Sequence, residues 1–128
     1  MLILVSPETG YPWPVEFRAP DPAVAGARVT VQFTARFRFV AQARIDEIWR
    51  RLREQGQQAA PSADDEMLLS DETLVREALI GWGDVCTPDG QPVPYSDTAL
   101  DAVLAVPGAR AAIARAWLNS LIEGERGN

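Results

Sequence analysis

The chain has 128 residues, a mass of 14.0 kDa, 47% hydrophobic residues and a formal net charge of −6. That length supports one modest hydrophobic core, and that composition excludes a wholly disordered chain. The acidic balance argues against nucleic acid as the main partner, because phosphate binding needs a basic face. Histidine and lysine are absent, and Cys86 is the only cysteine. An intramolecular disulfide therefore cannot form, and the commonest general base and metal ligand are both missing. The run Met1–Val5 is too short for a signal core and lacks a basic leader. No apolar stretch approaches the roughly 20 residues of a membrane span. The expectation is one cytoplasmic domain over residues 1–128.

In chain order, Trp13, Val15 and Phe17 alternate with Pro14, Glu16 and Arg18. Val29, Val31, Phe33, Ala35, Phe37 and Phe39 alternate with polar neighbours in the same way. A period of two indicates strands with one buried face. The Pro- and Gly-bearing stretch 19–26 between them makes residues 13–39 a β-hairpin region with a long loop. Leu2–Val5 is a candidate third strand.

Residues 40–55 switch to helical period, with Ala41, Ile45, Ile48, Trp49 and Leu52 on one face. Asp46 with Arg50, and Glu47 with Arg51, are acid-first pairs four apart. Residues 56–65 read as a polar linker, and 66–123 as a helical region. Ser70 and Asp71 suit a helix start, with the pattern running through Trp82; Ser62 with Asp65 is a rival capping box. Pro88-Asp89-Gly90 predicts a tight turn, with positive φ at Gly90. Ser96 predicts the cap of a short helix over 97–105, stopped by Pro107. The last helix is expected over 109–122, its apolar face centred on Ile113 and Trp117.

No catalytic constellation is legible. Cys86 has no histidine to activate it. Asp64-Asp65-Glu66 lacks the alternating oxygen ligands of a calcium loop, and a helix macrodipole explains acids at that place. Gly81-Trp82-Gly83 lacks the further glycines and the lysine of a phosphate loop. The expectation is no enzyme activity and no cofactor.

Several segments acquire meaning from their joint order: Gln32-Phe-Thr-Ala-Arg-Phe37, Gly81-Trp82, Asp89-Gly-Gln-Pro-Val-Pro-Tyr-Ser96, Val106-Pro-Gly108 and Ala116-Trp-Leu118. In that order the chain resembles the tail assembly chaperones of long-tailed bacteriophages. The likeness covers most of the chain, while Met1–Pro14 has no counterpart in it. It implies an α+β fold, with an N-terminal antiparallel β-hairpin packed against a mostly α-helical body. It also implies a protein that binds the tape-measure protein, keeps it soluble, recruits tail-tube subunits and is absent from the mature tail. A reading from another class is a small bacterial protein-binding adaptor or antitoxin-like regulator.

On either reading the informative residues are surface anchors. Trp and Tyr are favoured at interfaces, which singles out Trp82 and Tyr95. Arg36 and Arg38, on the polar face of their strand, suit an acidic partner or plain solvation. Leu118 and Ile122 point partly away from the Ile113–Trp117 face, which suits contact with a partner or a second copy.

Overall fold

Three prolines shape the first strand. In this computed structural model, which describes residues 1–56 and 70–122, β1 spans Tyr11–Pro20 and pairs antiparallel with β2, Arg28–Phe37. Pro12, Pro14 and Pro20 fall on alternate residues, where a missing N–H is harmless if it points off the sheet. Val15 and Ala19 are buried on the opposite parity, as are Phe33, Ala35 and Phe37 across the ladder. The expected hairpin is therefore present, with its inward face as read. Two residues of that face escape burial. Val29 is 36% exposed near the hairpin tip, and Phe39 is 41% exposed beyond the strand end.

Helix α1 spans Gln42–Gly56 and buries Ile48 completely. Trp49, on the same apolar stripe, is only half-buried. The ion pairs on its outer side differ from the expected ones: Arg50 bonds Glu54, and Glu47 bonds Arg44. Asp46 instead accepts from the Gln42 side-chain amide at 2.9 Å. The linker residues 57–65, the Ser62–Asp65 capping box and the Asp64–Glu66 acids lie outside the described residues, apart from Gly56, which closes α1.

Helix α2 begins where Ser70 caps it, its Oγ accepting from Thr73 N at 3.1 Å. It spans Asp71–Ala78 and does not reach Trp82 as expected. The chain passes directly into β3, Leu79–Gly83, which pairs antiparallel with β2 and makes the sheet order β1-β2-β3. Two effects explain the switch. The glycines on either side of Trp82 each cost a helix about 1 kcal/mol relative to alanine. The last turn also finds its partner elsewhere: Arg38 N bonds Ala78 O at 2.8 Å, and Arg38 Nε bonds Glu77 O at 2.7 Å. The third strand is thus β3, whereas Leu2–Val5 forms no strand and lies exposed.

After the Thr87–Gly90 turn, α3 spans Asp97–Leu104 and α4 spans Ala109–Ser120. Ser96 caps α3 as expected, its Oγ accepting from Ala99 N at 3.0 Å. The core lies between one face of the sheet and α2, α3 and α4. Ala109, Ala112 and Ala114 let α4 approach β1 and α2 closely, while Ile113 and Trp117 fill the middle at 0% and 1% exposure. The whole is the expected α+β arrangement, hairpin against helical body. Among the described residues, no helix is long and apolar enough to cross a membrane.

Candidate interaction surfaces

The turn singled out in the sequence builds a small buttress. Gly90 has φ 86°, Gly90 N bonds Thr87 O at 2.9 Å, and Thr87 Oγ1 donates to the Asp89 carboxylate. That hydrogen bond, first among its causes, holds the Asp89 carboxyl below its ordinary range. The returning strand is fastened by Val93 N to Val85 O at 2.8 Å and by a bridge between Cys86 and Pro92.

This buttress carries the aromatic pair. The Trp82 indole N–H donates to Val93 O at 2.8 Å, and the Tyr95 hydroxyl donates to Leu79 O at 3.1 Å. Their rings meet edge to face with centroids 4.9 Å apart. Burial, then the nearby Asp97 charge, pushes the Tyr95 hydroxyl above its usual pKa. Both polar tips are spent inside the protein and both rings are half-buried. Trp82 and Tyr95 therefore first fasten the turn to β3, and only their outer edges face solvent.

The other four sequence candidates are spread out. Arg36 is exposed on the outer sheet face, with Nε on Thr9 O at 2.9 Å. Arg38 ties the end of β2 to α2 through Glu77 O and lies 3.9 Å from the Glu77 carboxylate. Both arginines are thus engaged in the fold. Leu118 is half-buried and packs against the core, which leaves part of it at the surface. Ile122 is 46% exposed, as expected.

A chain of hydrogen bonds fastens the C-terminal end of α4. Ser120 Oγ donates to Trp117 O at 2.6 Å, so its contact with the Tyr11 hydroxyl at 2.7 Å has tyrosine as donor. This clasp folds the last turn of α4 over β1. Tyr11 also meets the Phe37 and Phe39 rings, at 6.0 and 5.1 Å. Burial raises the Tyr11 pKa, with its neighbours Ser120 and Trp117 opposing. The buried Trp117 indole N–H itself makes no hydrogen bond of acceptable geometry.

One apolar cleft was not legible beforehand. It measures about 280 Å³ and is lined chiefly by Phe17, Val31, Phe33, Val85, Val103 and Val106, with Asp84 and Cys86 at exposed positions. A shallower depression of about 470 Å³, bordered by Pro14, Glu16, Gln32, Thr34 and Asp84, adjoins the same stretch of β2. Asp84 has φ 68°, unusual for a residue with a side chain, and turns the chain away from β2 there. The available signal was length: β2 has ten residues, while β3 and the helical layer cover only part of it.

Among the described residues, no group of three or more His, Cys, Asp or Glu is placed to hold a metal ion. No family model, curated protein or solved structure matches the chain.

Proposed function

We propose that this protein is a tail assembly chaperone of a long-tailed phage or prophage, one that binds the tape-measure protein and keeps it soluble until tube subunits polymerise. The observation that carries the reading is the unit formed by Gly81-Trp82 and the Asp89–Ser96 turn. These separated motifs, whose order supplies the family likeness, close on each other through the Trp82–Val93 and Tyr95–Leu79 hydrogen bonds. An acidic protein with an apolar cleft and a net charge of −6 also suits the task. It can cover apolar stretches of a partner while adding charge that keeps the complex dispersed.

The test is co-expression with the candidate tape-measure protein. The expected result is a marked rise in the partner's soluble fraction and its co-purification with this chain. A partner that stays as insoluble as when made alone removes the chaperone reading. An adaptor for some other single protein then becomes the better account.

A further inference from the structure

The two edges of the sheet are unequal. In an antiparallel ladder, opposite residues point their backbone groups both toward each other or both away. Pro12, Pro14 and Pro20 lack the N–H that an inward position requires, so the even-numbered residues of β1 face off the sheet. Their partners Arg36, Thr34 and Arg28 share that parity, and so do Gln32 and Thr30. All five therefore turn their backbone groups from β1 toward the β3 side. Arg36 and Thr34 meet Gly81 and Gly83 there, but β3 ends at Gly83. Beyond it, no described hydrogen bond uses the outward backbone groups of Gln32, Thr30 or Arg28. The β1 edge is closed by proline, whereas residues 28–33 form an open, proline-free edge. Open space adjoins the Gln32–Phe33 end, with the apolar cleft on the core side and the shallow depression nearby.

The same chain carries a segment of matching kind. Residues 1–5, Met-Leu-Ile-Leu-Val, have no secondary structure, and their exposure runs from 46% at Val5 to 114% at Met1. Among the described residues, none makes a backbone hydrogen bond to any of them. Extended, five residues span roughly 17 Å, close to the roughly 20 Å of a six-residue edge. Alternation would place one set of these side chains over Val31 and Phe33 in the cleft.

A chain cannot bring the two together by itself. Phe39 N bonds Pro7 O at 3.1 Å, which pins Pro7 at the far end of β2. Phe37 to Thr30 is roughly 24 Å along the strand. From Pro7 to Ile3 the backbone reaches at most roughly 14 Å.

We propose that residues 1–5 of one copy add as a fourth strand to the open edge 28–33 of a second copy, and that reciprocal exchange closes a two-fold dimer. Proline supplies the test, because its effect depends on parity. Thr30→Pro removes an N–H that faces the open edge, so it leaves the β1–β2 ladder whole while blocking strand addition. Val31→Pro breaks that ladder and serves as the destabilised control. The double change Ile3→Pro with Leu4→Pro lies in the exposed segment, outside every folded element, and blocks the donor strand at either parity.

Sedimentation equilibrium of the parent chain should give twice 14.0 kDa. Thr30→Pro should run as a monomer, and so should the Ile3→Pro, Leu4→Pro variant, each melting with the parent at concentrations low enough to dissociate it. Mixing these two variants should restore a pair held by one joint, since each retains the half that the other lacks. A parent that is monomeric at all accessible concentrations overturns the proposal, as does a dimer that survives in both variants. So does a monomeric parent whose open edge captures a tail protein in a Thr30-sensitive way. The mass readout needs no tail protein and only the capture arm does, so failure of the dimer and failure of the chaperone reading remain distinguishable.

Discussion

At the scale of single residues, backbone geometry separates two glycines that look alike in the sequence. Gly90 has φ 86° in open space, so a side chain there meets only torsional strain. Gly10 has φ 68°, and an added Cβ would lie 2.6 Å from the Phe37 carbonyl oxygen. That oxygen belongs to the backbone of a buried strand and cannot swing away. Gly90→Ala should cost about 1 kcal/mol, as alanine at positive φ generally does. Gly10→Ala should cost clearly more, on the order of 2–4 kcal/mol, because a backbone clash adds to the strain. Paired thermal melts check this. Equal losses at the two positions would show that the close approach at Gly10 has no energetic weight. The Asp-Gly turn made Gly90 legible in advance. Gly10 was not, because the contact that fixes it comes from a strand 27 residues further along, at Phe37.

At the scale of elements, helix α4 shows how burial and hydrogen bonding divide. Trp117 is 1% exposed at its centre, so Trp117→Ala should destabilise by about 3–5 kcal/mol. Tyr11→Phe keeps the ring contacts and deletes only the donor to Ser120. Ser120 still donates to Trp117 O, so that change should cost about 1 kcal/mol. Chemical denaturation resolves the two, and a tyrosine variant as damaging as the tryptophan one would refute the clasp. The surviving and failing expectations follow the same division. Elements set by local chemistry were legible: the alternating hairpin, the Ser70 and Ser96 caps, the Asp89-Gly90 turn and the Ile113–Trp117 stripe. The switch from α2 into β3 was not, because it depends on Arg38 and the free edge of β2, some forty residues earlier in the chain. Helical spacing puts Leu118 off the main apolar face, yet it is half-buried against the core. The apolar cleft was hidden because it arises where β3 and the helical layer leave part of β2 uncovered, and no local pattern records that.

At the scale of the whole molecule, one ion pair among the described residues ties α1 to α2. Arg44 grips the Glu77 carboxylate with two parallel bonds, Nε to Oε2 at 2.8 Å and Nη2 to Oε1 at 2.9 Å. Ile48 sits in the core beside this latch, while Trp49 stays half-exposed. The Arg44 hydrogen bonds, opposed by burial and aided by the Arg44 and Arg38 charges, hold the Glu77 carboxyl below its usual pKa of 4.5. The sign of the linkage follows. A carboxyl with a depressed folded pKa contributes stability that is fully present above its unfolded pKa. That contribution is lost as pH falls through the folded pKa. Glu77→Gln should therefore weaken the parent near neutral pH by about 1 kcal/mol, the scale of a well-formed but solvent-accessible pair. The deficit should shrink as pH drops below 4.5, where the unfolded chain takes up the proton first, and vanish once the folded carboxyl is protonated too. Hydrogen exchange can localise the effect. In Glu77→Gln at neutral pH, the amides of 45–56 should lose protection while those of β1 and α4 keep theirs, because the sheet and the C-terminal helices share a core that the latch does not hold together. Uniform loss of protection across the molecule would show instead that α1 unfolds only with the rest, and that the Arg44–Glu77 pair is one contact of a single cooperative unit.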